Sequence, residues 1–106
     1  MRFTILVVTA ALVGLGAISV AYADGARIYK SNCAKCHGAA GQADSAGAKA
    51  MKAPVLARNA KVAAMSEADL ATAISTNKRH VALFKPLSAD DLAAVTTFTK
   101  GLAGGK

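Results

Sequence analysis

Apolar and polar positions divide the chain into two unequal parts. From Phe3 to Ala23 it is almost wholly apolar and carries no charge after Arg2. Beyond Asp24 the pattern breaks into short periodic segments separated by stretches rich in Gly, Ala and Pro. Three segments predict helices. The first covers about Gly25 to Ser31, with Ile28 and Tyr29 on its buried side, and leads into a pair of cysteines. The second opens at Ser66, a capping residue with Asp69 three positions on. Leu70 and Ile74, four apart, form its apolar stripe. The third opens at Ser88, with Asp91 in the same relation. Leu92, Val95, Phe98 and Leu102 then recur at helical spacing until Gly101 or Gly104 stops the helix. No segment alternates as a strand does. The stretch from His37 to Ala53 reads as loop with at most one short helix. The stretch from Asn77 to Leu87 reads as a loop between two capped helices, and Gly104-Gly105-Lys106 as a frayed tail.

The apolar start has the layout of a secretory signal: a positive end, an apolar middle and the small-x-small triplet Ala21-Tyr22-Ala23. Cleavage after Ala23 gives a signal peptide at 1–23 and a domain at 24–106, 83 residues long. The same stretch is long enough to span a bilayer as a retained anchor. Asp24 directly after the triplet favours cleavage. Either way the domain is placed outside the cytoplasm, in the periplasm.

Eighty-three residues support one domain and exclude a Rossmann dehydrogenase or a TIM barrel. They include 21 alanines but only 17 larger apolar residues. So small a core needs a staple, such as a disulfide, a metal or a bound apolar cofactor. The domain carries twelve Lys or Arg against six Asp or Glu, spread along its length. Export and the scarcity of aromatics exclude nucleic acid as a partner. An acidic protein suits the charge better.

Cys33-Ala34-Lys35-Cys36-His37 is the C-x-x-C-H signature for attachment of c-type haem. Two thiols spaced by two residues on a helical turn match the two vinyl groups of one porphyrin edge. His37 then lies beneath the ring and can offer Nε2 to the iron. Other chemistries use the same residues. A redox dithiol expects a βαβ setting, which is not visible. Structural zinc needs four ligands, and the gap from His37 to His80 does not fit a finger. A plain disulfide is the remaining competitor. The undersized core and the export signal both favour one covalent haem c.

With these residues in place, the chain resembles a small class I (monohaem) c-type cytochrome across nearly all of its mature length. The resemblance implies an all-α fold of three to five short helices wrapped around one covalently bound haem. Gly25-Ala26-Arg27-Ile28-Tyr29 resembles the family's amino-terminal helix, in which a glycine and an aromatic pack on the carboxy-terminal helix. Phe98 and Leu102 match that partner. Lys52-Ala53-Pro54-Val55-Leu56 resembles the segment whose proline carbonyl accepts the Nδ1–H of the proximal histidine, which makes Pro54 the partner of His37. Tyr29, Leu56, Ile74, Val81 and Phe84 are expected to pack on the haem.

The resemblance fails in the loop before the last helix, where the family has a methionine as sixth iron ligand. Here the loop reads Asn77-Lys78-Arg79-His80-Val81-Ala82-Leu83-Phe84. Phe84 and Leu87-Ser88 fix the register, and the methionine position falls on Val81, which has no donor atom. His80 is one residue away and is a candidate distal ligand if the loop shifts. Met51 and Met65 are further candidates. An open or water-bound iron with Val81 over the ring is the remaining one.

The resemblance implies a periplasmic electron-transfer protein, not an enzyme, docking transiently on an acidic redox partner. Lys30 and Lys35 flank the attachment motif, and Lys78, Arg79 and Lys85 flank the distal loop. Two other readings accompany this one. With an open sixth site, the protein would bind a small ligand such as NO, CO or peroxide. Within a respiratory complex, the haem would serve as a wire.

Overall fold

The structure, a computed structural model, describes residues 22–105. The expected signal segment lies outside the described residues, apart from Tyr22 and Ala23. Helix α1 occupies residues 22–37, with a wider-wound segment at Tyr29–Cys33 and a closing turn at Ala34–His37. It is followed by α2 (Ala46–Ala50), α3 (Ala60–Ala64), α4 (Glu67–Thr76), α5 (Lys78–Leu83) and α6 (Ala89–Ala103). Among the described residues there is no strand, and no helix is long and apolar enough to cross a membrane. The all-α fold expected from the sequence is the observed one.

Capping side chains start the helices where the sequence signals lie. Ser66 Oγ accepts the Asp69 N–H and Ser88 Oγ accepts the Asp91 N–H, both at 3.1 Å. Each bond satisfies one of the donors left over in a first helical turn. Asp69, Asp90 and Asp91 also place negative charge at the positive ends of these helices. Asn59 and Asn77 cap α3 and α5 in the same way. Neither of these two short helices follows from apolar periodicity. The first helix runs past Ser31 to His37, and the reading of 77–87 as loop is corrected: α5 fills its first half.

The last helix is the hub, with α1, α3 and α4 packing against it. Ile28, Tyr29, Leu56, Ala94 and Val95 form the buried cluster, with Phe98 and Leu102 packed on it. The α1–α6 crossing is tight at Gly25, where an added Cβ would collide with the Ala94 carbonyl and lie 2.9 Å from Phe98 Cβ. Tyr29 and Phe98 meet there with ring centroids 5.2 Å apart, a favourable tilted aromatic contact. This crossing holds the end of α1, and with it the cysteine motif, in a fixed place.

Candidate haem site

The cysteine motif begins where α1 changes its winding. Over Tyr29–Cys33 the helix takes π geometry, and the Ala34 N–H reaches back five residues to the Tyr29 carbonyl. Single turns of this kind are common at functional sites. The chain then tightens, and the Gly38 N–H closes on the Ala34 carbonyl at 2.9 Å. Gly38 has φ 85°, which glycine adopts without strain, and it ends the helix directly after His37. The Tyr29 hydroxyl donates to the Gly38 carbonyl at 2.7 Å and pins that turn.

Cys33, Cys36 and His37 line one cavity of about 740 Å³, within the usual size range of cofactor sites. His37 Nδ1 donates to the Pro54 carbonyl at 3.0 Å. A carbonyl can only accept, so the proton sits on Nδ1 and Nε2 keeps its lone pair. The Pro54 segment is itself anchored. The Gly41 carbonyl accepts the N–H groups of Leu56 and Ala57 at 2.8 and 2.9 Å, and the Arg58 N–H reaches Leu102 at 3.1 Å. Burial lowers the His37 pKa; the Pro54 bond opposes that shift, and His80 adds to it. A neutral imidazole is the form that binds a metal.

The cysteines fit attachment better than the other chemistries. Neither is in a disulfide. Burial, with a further push from Cys36, raises the Cys33 thiol to about 11. Redox dithiols have the opposite character, a stabilised thiolate. Among the described residues no group of three or more His, Cys, Asp or Glu converges as a zinc site requires. The apolar cavity, the paired thiols on its wall and the free Nε2 beside them suit a porphyrin joined at one edge.

Helix α5 builds the facing wall. Asn77 Oδ1 accepts the N–H groups of Arg79 and His80 at 3.0 and 3.3 Å, which turns the chain into a helix. His80 Nδ1 donates to the Ile74 carbonyl at 2.7 Å, one of the acceptors left over in the last turn of α4. The His80 ring lies 6.3 Å from the His37 ring, centroid to centroid, with the planes at 70°. Val81, the next residue, is turned by about 100° on the helix. It borders the cavity yet is 65% exposed.

Tyr29, Leu56, Ile74 and Phe84 line the same cavity. Met51 does too, on the segment that carries Pro54, whereas Met65 does not. Lys78, Arg79 and Lys85 border the cavity; Lys30 and Lys35 are exposed but stand apart from it. The sequence reading missed Lys52, which also borders the cavity, and Asn77 as the cap of α5. An asparagine beside a run of polar helix formers was the available signal for the latter.

A family model described as "Cytochrome C oxidase, cbb3-type, subunit III" matches residues 20–98. No curated protein and no solved structure matches the chain.

Proposed function

This chain belongs to that family of c-type cytochrome domains, and from that premise we propose that it is an exported electron carrier that docks briefly on an acidic redox protein. Covalent haem c is its cofactor and electron transfer its role; it is not an enzyme. When bound, haem supplies a one-electron couple at iron. The protein's part is to hold that group still, keep water from it and present one edge. In our reading Cys33 and Cys36 would carry the thioether links and His37 would offer Nε2 to the iron. Pro54 fixes the proximal ring through its carbonyl, a contact of the kind that orients metal-bound histidines. Tyr29, Leu56, Ile74, Val81 and Phe84 supply apolar surface around the porphyrin.

One observation carries the reading: the cysteine pair, a free imidazole nitrogen and an apolar cavity of about 740 Å³ meet at one wall. The partner is read from charge. Lys52, Lys78, Arg79 and Lys85 border the cavity, and no Asp or Glu does so among the described residues. Glu67, Asp69, Asp90 and Asp91 instead occupy the first turns of α4 and α6. A cationic rim around an electron-transfer edge favours an acidic surface and a small, short-lived interface. Export is supported by the layout of residues 1–23.

The test is to express the full chain in a host that matures c-type cytochromes. Intact mass and the pyridine haemochrome then report covalent haem, and stopped flow reports electron exchange with an acidic and a basic redox protein. The reading expects one haem per chain and faster exchange with the acidic protein, slowing as salt is added. Bare polypeptide, or no preference between partners, contradicts it.

A further inference from the structure

We propose that His80 is the sixth iron ligand, so that iron sits between two histidines, each locked by a backbone carbonyl. The proposal rests on the haem reading above and extends it to the distal side. Family register assigns the distal position to Val81, which borders the cavity but is 65% exposed, whereas the half-buried ring of His80, one residue earlier on α5, lies 6.3 Å from that of His37.

Three observations support it. First, each ring donates Nδ1–H to a main-chain carbonyl, His37 to Pro54 at 3.0 Å and His80 to Ile74 at 2.7 Å. Both imidazoles are thereby set in the tautomer whose Nε2 is free to coordinate. Second, the spacing suits one metal between them. Two imidazoles bound at about 2 Å on opposite sides of one metal would have ring centroids a little over about 6 Å apart. The observed separation is 6.3 Å. Third, both residues line the same cavity as Cys33 and Cys36.

A simpler role for His80 would be to cap the last turn of α4, where a histidine is a favourable residue. Capping accounts for Nδ1 and its 2.7 Å bond. It does not account for a ring standing at metal-bridging distance from the proximal histidine. The same asparagine cap that begins α5 fixes His80 in the first turn, so the distal ligand is placed by local helix geometry.

The ring planes add a specific signature. They cross at 70°, and axial imidazoles set near perpendicular leave ferric iron low-spin with a strongly anisotropic EPR signal. Parallel rings give a rhombic one. The test uses purified holoprotein whose haem content has been fixed by intact mass and pyridine haemochrome. Wild type should show the anisotropic low-spin signal. His80→Ala should lose it, become high-spin, and regain low-spin character when free imidazole is added. His80→Met, which keeps a donor at the position, should stay low-spin with a higher potential. A high-spin wild type overturns the proposal, as does a low-spin signal unchanged in His80→Ala, which would point to Met51. If His80→Ala does not accumulate, the wild-type spectrum and His80→Met decide. Absence of covalent haem from wild type would instead sink the underlying functional reading.

Discussion

One wall of the cavity draws two thiols and one imidazole from five consecutive residues, whereas the facing wall is assembled from two helices and a cap. Cys33, Cys36 and His37 need only a helical turn to share a wall. His80 needs α4 to end at Thr76, Asn77 to restart the chain as α5, and the Ile74 carbonyl to catch its ring. Covalent contiguity makes the first arrangement robust. The second depends on a six-residue helix that would be marginal in isolation, so its stability comes from the cap and the neighbours. The two walls should therefore respond differently to substitution: changes around Cys33, Cys36 and His37 should affect the whole protein, and changes on α5 should affect spectrum and partner binding first.

The sharpest contrast comes from the thiols. Cys33→Ser combined with Cys36→Ser should abolish covalent haem, returning the intact mass to that of the polypeptide. The helical signal should melt earlier, because the apolar cavity loses its filling. A double variant that keeps its haem mass would break the comparison. A smaller effect is expected at the rim. Lys78→Glu with Lys85→Glu should leave the haem spectrum unchanged and slow association with an acidic redox protein, by on the order of tenfold at low salt. The difference from wild type should shrink as salt rises, which stopped flow across an ionic-strength series reads directly.

Smaller again is the cap. Asn77→Ala removes the bonds to Arg79 and His80 and should cost about 1 kcal/mol. That loss should fall on α5 alone, so the distal spectrum should change at a lower temperature than far-UV circular dichroism does. Coincident transitions would mean that the two walls form one cooperative unit. The mildest change is Tyr29→Phe, which removes the hydroxyl bond to Gly38 and should cost about 1 kcal/mol. Burial, the larger cause, and the free Cys33 thiol together push the Tyr29 hydroxyl up to about 12 from its ordinary value of 10; once Cys33 is a thioether, burial alone keeps it raised. A raised acid group lends stability below its unfolded pKa and gives it up as pH climbs through its folded one. Wild type should thus lose stability between pH 10 and about 12, and Tyr29→Phe should lose less over that window. Denaturant midpoints at a series of alkaline pH values measure this.

The contrast also explains what could be read from the chain alone. The caps at Ser66 and Ser88 follow from local spacing and residue type, and they were legible; the Tyr29–Phe98 crossing was legible through its likeness to a known family. So was the segment that offers Pro54 to His37, through its likeness to a known pattern. The distal wall was not. Its helix has no apolar stripe: Lys78 and Arg79 open it, and Val81 and Leu83 are exposed. Register put Val81 at the methionine position and left His80 as one candidate among several, because the helix that sets His80 beside the cavity was read as loop. Lys52 was missed because its place on the rim depends on how the Pro54 segment folds back, and no local pattern records that.

Near-infrared magnetic circular dichroism of the oxidised holoprotein distinguishes the axial pairs, because the charge-transfer band of ferric haem shifts with its two ligands. If His37 and His80 both bind iron, the band is that of a low-spin bis-histidine haem. A histidine–methionine band, or a high-spin spectrum with water on the iron, would contradict that pairing.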